Sequence, residues 1–315
     1  MKIVKKLSVL VICLILAFNL ASCSASSLGV DGHYWLNSST GFTASFKEVL
    51  TYDVSIATKT PSDSTDIGSA DYAIEVEKGE YKTTLTTIKS ASGDRYVYKT
   101  EFVLKGVYKA PEISDVVFKD TFNTQTEFTY DFKPIKTTKS YNSELTNYSY
   151  NYKIDYSDSE AVCELVEFPN TDKQKVSNFT FTNYSDGAFI DNDAIYLLVR
   201  AYEIDSDFYQ QFKTVDVLSR KNHDMLYQVS LAEEDKVDVK SLENYQINGG
   251  EVPAETIACN HVEIKINDTF KGSSIECYYA TDRTVNRYRL IESYTYLNAN
   301  LGYLKLKLKS ADVTE

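Results

Sequence analysis

Histidine is nearly missing from this sequence: His33, His223 and His261 are its only imidazoles in 315 residues. A serine or cysteine nucleophile needs an adjacent base, and His33 sits in a polar N-terminal stretch, so two side chains remain for that role. No Gly-x-Ser-x-Gly elbow and no HExxH pair occurs. Glycine (12) and proline (5) are also scarce, and no glycine-rich loop is present to cradle phosphate. Asp191-Asn192-Asp193 and Asp205-Ser206-Asp207 lack the glycine and terminal glutamate of a calcium loop. Basic charge is short: 33 Lys and Arg stand against 45 Asp and Glu, a formal net charge of −12. That field opposes nucleic acid and anionic headgroups, which both need a basic footprint. Beyond the N-terminus there is no apolar run long enough to cross a membrane. What the chain does have is aromatic bulk, 25 Tyr and 15 Phe, a composition that favours strands.

The N-terminus reads as an address. Lys2, Lys5 and Lys6 form a positive head, and Leu7 to Leu16 supply an apolar stretch of signal-peptide length. Leu20-Ala21-Ser22-Cys23 follows. This order resembles the lipobox of bacterial lipoproteins. The resemblance implies that the Cys23 thiol carries a diacylglycerol group, that the chain is cut before it, and that the new amino terminus is acylated. Two or three acyl chains would hold the protein durably on the bilayer, where one gives marginal binding. Removing residues 1–22 takes away basic residues and no acid, so the mature chain is more acidic still. The expected organisation is a signal peptide over 1–22, a lipidated cysteine and polar tether over 23–43, and a β-rich extracytoplasmic domain over 44–315. If that domain forms two subdomains, the split falls near 170–190. Apart from Cys23, the mature chain keeps Cys163, Cys259 and Cys277. An odd number allows at most one disulfide, and buried thiols acting as small hydrophobes are the other reading.

From Phe46 onward, period-two alternation dominates, the mark of strands with one buried and one wet face. Leu50, Tyr52, Val54 and Ile56 alternate first. Tyr72, Ile74 and Val76 follow, and Lys78-Gly79-Glu80 reads as a turn into Tyr81, Thr83 and Leu85. A second turn spans Ala91 to Asp94, and Asn248-Gly249-Gly250 marks another. Tyr96, Tyr98, Thr100, Phe102 and Leu104 carry a long strand. Phe128, Tyr130 and Phe132 carry one that ends before Pro134. Tyr148, Tyr150, Tyr152, Ile154 and Tyr156 place their bulk on one face. Only Asp191 to Tyr202 departs, with Ile195, Leu198, Val199 and Tyr202 at helical spacing behind acidic N-cap candidates. A lone helix among strands buries such a stripe only against a sheet, so it is expected to plug or cap one open face.

Three sets of residues bear on function. Tyr96, Tyr98, Phe102, Tyr148, Tyr150 and Tyr152 either fill a sheet core or line a concave face that holds an apolar or sugar ligand. Arg200, on a mainly apolar helix, needs an acidic partner or a ligand anion unless it faces solvent. Cys259, His261 and Glu263 share one strand face with Cys277 on the expected partner strand. A zinc site requires about four ligands in tetrahedral reach, and with no second His nearby in the sequence a buried Cys and an edge His are the preferred reading, so no metal, cofactor or catalytic residue is assigned.

Asp191, Tyr196, Leu197, Leu198 and Arg200, then Cys259-x-x-Val262-Glu263, and finally Gly302-Tyr303-Leu304-Lys305-Leu306 resemble a family of secreted bacterial β-proteins classed as a domain of unknown function. The resemblance spans the C-terminal third to half of the chain. It implies a curved-sheet or half-barrel fold like those of bacterial envelope proteins, some of which handle lipid. It carries over no catalytic residue. The expected fold is therefore mainly β, a large antiparallel meander curved into an open or half-barrel sheet with one short helix packed on it. The expected function is non-enzymatic: a membrane-anchored envelope protein, on the extracytoplasmic face, that binds or scaffolds and holds an apolar ligand such as a lipid. The alternatives are an envelope glycan hydrolase with paired carboxylates and a carbohydrate-binding or adhesive module using exposed tyrosines.

Overall fold

The computed structural model describes residues 46–314, apart from 63–65, 69–70, 90, 92, 158–159, 169–172, 183–187, 190–191, 203, 216, 219–223, 232–237, 243–244, 253–254, 267–273 and 283–284. The signal peptide, Cys23 and the tether anticipated over 1–43 lie outside the described residues.

Most of the alternating segments become strands. β1 (Lys47–Ala57) through β8 (Lys175–Thr182) comprise β2 (Ala73–Ile88), β3 (Arg95–Lys109), β4 (Val116–Thr129), β5 (Pro134–Ser143), β6 (Tyr148–Tyr156) and β7 (Glu160–Phe168). Each pairs antiparallel with the next, so this half of the sheet is a meander. After the short β9 (Ala188–Phe189) come a 3-10 turn, Asn192–Ala194, and the helix α1, Ile195–Arg200. β10 (Tyr209–Val215), β11 (Asp224–Leu231), β12 (Asp238–Leu242), β13 (Tyr245–Ile247), β14 (Gly250–Val252), β15 (Glu255–Ile266), β16 (Ser274–Ala280), β17 (Leu290–Asn298) and β18 (Gly302–Thr314) complete the chain. β18 pairs along the whole of β1, which joins the two halves into one sheet running β8 to β1, then β18, β17, β16, β15, β11, β10 and β9. β12 takes the other end of β15, and β13 runs parallel to the end of β18.

The sheet coils further than a half-barrel. Val215 and Val217, at the end of β10, pack with Tyr150, Tyr152, Ile154, Leu165 and Phe181 of β6 to β8. The two ends of the sheet thus approach each other, and the barrel is nearly closed. Strand twist and tilt close such a sheet. Inside lies the main core, where Ile195, Leu197, Leu198 and Val199 of α1 pack among residues such as Leu50, Leu85, Phe118, Phe212 and Ile264.

Three local expectations are corrected. Lys78-Gly79-Glu80 makes no turn: β2 runs through it, with a register irregularity between Val76 and Lys78. A Cβ on residue 79 would stand 2.2 Å from the Val54 carbonyl oxygen, so the glycine serves close approach of β1 rather than chain reversal. The strand through Phe128 stops at Thr129, and Phe132 sits in the following hairpin at φ 58°. It keeps its burial there by stacking on Tyr96 at 4.6 Å. The helix is shorter than its apolar spacing suggested: its first turn is 3-10, and its N-terminus at Ala194 has no side-chain cap. Leu198 is nevertheless fully buried.

Candidate functional site

One register row organises the interior. Tyr52, Tyr81, Phe102, Phe122, Tyr141 and Tyr150 face each other in sequence across β1 to β6. Directly opposed side chains are the contact unit of a sheet. Here they give stacked pairs, Phe102 on Phe122 at 4.9 Å and Tyr141 on Tyr150 at 4.9 Å. Helix α1 stands in front of the row. Tyr196 meets Tyr81 edge-on at 6.5 Å, and the Tyr279 hydroxyl donates to the Tyr196 carbonyl at 3.2 Å. Asp193, in the 3-10 turn, accepts from Lys139 Nζ at 2.8 and 2.9 Å. Lys139 in turn lies 4.9 Å above the Phe122 ring.

Between helix and wall a crevice of about 200 Å³ remains, lined by Phe102, Phe122, Ile195, Tyr196, Ile275 and Leu304. Its walls are apolar, and the Asp193 carboxylate at its edge is neutralised by Lys139. A concave apolar site with a few fixed polar groups suits an apolar ligand. Burial lifts the Tyr196 hydroxyl to about 12 and raises those of Tyr52, Tyr81 and Tyr98 well above the ordinary phenol value. These phenols are therefore neutral donors at ordinary pH.

Arg200 is buried at 3% exposure and has its acid within the protein. Its Nη1 and Nη2 donate to both oxygens of Glu48 at 2.5 and 3.1 Å, and its Nε donates to the Arg287 carbonyl at 2.9 Å. Arg289 Nε adds a bond to Glu48 at 3.0 Å. Burial alone would raise the Glu48 carboxyl, but the Arg200 and Arg289 guanidiniums outweigh it and hold the group down to about 2. Arg200 thus ties α1 to β1. With Tyr52, Tyr98 and Tyr196 it borders a small cavity of about 20 Å³, room for about one water.

The anticipated aromatic stripe divides. Phe102 lines the crevice and Tyr98 the small cavity. Tyr96 is packed between Phe132 and Tyr130. Tyr148 donates to Glu167 at 2.8 Å, and Tyr150 and Tyr152 belong to the second cluster with Val215 and Val217. Tyr81, Phe122, Lys139, Ile275 and Leu304 were not singled out from sequence, because what unites them is cross-strand register, which no single strand displays. Glu48 had a visible signal: it stands in phase with the inward residues Leu50, Tyr52 and Val54.

On β15, Cys259, His261 and Glu263 share a side by alternation as expected, with Cys259 in the main core. Cys277 pairs with Val262 and so points to the opposite side from His261. Cys163, Cys259 and Cys277 are all buried and form no disulfide with one another, and no group of metal ligands forms among the described residues. His261 Nε2 lies 3.5 Å from Glu276, whose other oxygen accepts from the Thr60 hydroxyl at 2.7 Å. The carboxylate stands between imidazole and hydroxyl, so His261 has no path to take that hydroxyl's proton. This is the wrong order for an activated nucleophile.

No family model and no curated protein matches the chain. Among solved structures, the chain is similar to a β-barrel-like protein of the domain of unknown function DUF1849 from Brucella abortus. The identity is 11%, the match covers 87% of this chain and all of that one, and the TM-score is 0.47.

Proposed function

We propose that this protein is a lipid-anchored, non-enzymatic component of the cell envelope that holds an apolar ligand in the crevice between α1 and the β2–β4 wall. The anchoring rests on the ordered N-terminus, from Lys2 to Cys23. The ligand reading rests on one observation, an apolar crevice walled by stacked Phe102 and Phe122 and roofed by the helix. Burying an apolar chain there removes its surface from water at about 25 cal/mol per Å². Attachment is assigned to acyl chains on Cys23; among the described residues, no helix is long and apolar enough to cross a membrane.

Two experiments test the two halves. Cys23→Ala in the full chain should abolish incorporation of labelled acyl chains and block processing; unchanged labelling and membrane retention would end the anchoring claim. For the ligand, mass spectrometry of an organic extract of the purified full chain should reveal a bound lipid-like molecule. Ile275→Trp, which fills the crevice, should remove it and weaken binding of an apolar fluorescent probe at least tenfold. An empty extract, together with probe binding indifferent to that substitution, would refute the reading.

A further inference from the structure

A second concavity lies on the outer face of the same meander. It measures about 540 Å³ and is bordered by strands β3 to β6 alone. Register shows how it forms. One outward row runs Glu101, Asn123, Ser140, Asn151, and another runs Lys99, Gln125, Thr138, Lys153. The row between them, Thr100, Thr124, Lys139 and Tyr152, turns inward: Thr100 and Thr124 are buried and hydrogen-bonded to each other, and Lys139 reaches Asp193. Two ridges of side chains thus flank a trench with backbone at its base. With strands about 4.8 Å apart, each ridge offers a polar group at that interval over roughly 10 to 15 Å.

The chemistry of the trench differs from the surface around it. Nearby outward residues are ion-paired: Lys105 with Glu77, Lys109 with Glu75, Arg95 with Glu127. Lys82 with Glu101 closes one end, and Lys153 with Asp155 stands at the other. Lys99 and Glu101, one of each sign, also line the trench; between them Asn123, Gln125, Thr138, Ser140 and Asn151 are neutral, and their side chains make no hydrogen bond to another described residue. Amides and hydroxyls both donate and accept, so this is a strip of unused, ambivalent hydrogen-bonding capacity. An apolar ligand finds no wall there. Anionic polymers meet the Glu101 carboxylate, which offsets Lys99 in the lining, and a chain of net charge −12. An added β-strand finds no free edge, because β3 to β6 are paired on both sides. A neutral polyhydroxylated chain satisfies all three conditions.

We propose that this trench binds a neutral glycan, by amide and hydroxyl contacts from Asn123, Gln125, Thr138, Ser140 and Asn151. It is a different surface from the tyrosine platform anticipated above, and it is independent of the apolar crevice. The test is saturation-transfer-difference NMR on the purified full chain, with triacetylchitotriose, cellotriose and maltotriose as probes, each at about 5 mM to reach millimolar affinities. At least one trisaccharide should receive saturation. The combined Asn123→Ala, Ser140→Ala and Asn151→Ala variant should reduce that signal at least tenfold without moving the thermal midpoint, since all three side chains are exposed and unbonded. Ile275→Trp should leave it intact, which separates this site from the crevice. No transfer to any of the three, or full transfer in the triple variant, would overturn the proposal.

Discussion

Glu48 is the residue on which the most charge converges, and its energetics can be tested directly. It stands at 2% exposure with Arg200 and Arg289 on its oxygens. Removing one partner of a buried pair leaves the remaining charge uncompensated, so Arg200→Ala should cost about 3 to 5 kcal/mol in chemical denaturation. The carboxyl titrates near 2 in the fold against an ordinary 4.5. A depressed carboxylate stabilises fully above its unfolded value and loses that contribution as pH falls through the folded one. That contribution is about 3 kcal/mol, present above pH 4.5 and lost between there and about 2. Glu48→Gln should flatten that acid limb while lowering stability at pH 7. A variant whose stability falls as steeply below pH 4.5 as that of the parent would place the acid sensitivity elsewhere. In the sequence, Glu48 was not singled out, although an acid in phase with the apolar residues Leu50, Tyr52 and Val54 is a signal that could have found it. Its two arginines, 152 and 241 positions away, were beyond any local pattern.

At the scale of elements, strands with one wet face were the most legible, because alternation records burial residue by residue. Tyr150, Tyr152 and Ile154 are buried and Tyr156 half-buried, while Asn151, Lys153 and Asp155 between them are exposed. Reading failed where a residue served a neighbouring strand. Gly79 resembled a turn because glycine marks turns, but close approach to Val54 was its reason. The helix was found from its spacing, yet its length was overestimated: its N-terminus at Ala194 has no side-chain cap, and Asp193 bonds to Lys139 on β5. A six-residue helix has little stability of its own, so packing holds it. Leu198 and Val199 are fully buried within the barrel. Leu198→Ala should therefore cost about 2 to 5 kcal/mol, read as a lowered denaturation midpoint with unchanged slope. A midpoint equal to that of the parent would mean the helix is peripheral to the fold, and the crevice would lose its roof.

For the whole molecule, the sequence conveyed an antiparallel curved sheet but not its degree of closure. Closure depends on how residues from β10 meet β6 to β8, more than 30 positions earlier, and no periodicity encodes that. The seam has its own small core, with Tyr150, Tyr152, Ile154, Leu165 and Phe181 on one side and Val215 and Val217 on the other. The principal core around α1 is a separate cluster. Two clusters imply that the seam can open without global unfolding, since local opening tracks local burial. Val217 is 5% exposed, and Val217→Asp would place an unpaired charge in an apolar joint. Such a group costs several kcal/mol unless it rehydrates, and opening the seam is the nearest way to rehydrate it. Hydrogen exchange should then accelerate in β6 to β8 while amides of β1 and β18, paired along their full length at the barrel's far side, keep their protection. Uniform acceleration across both regions would show instead that the seam and the main core unfold as one unit.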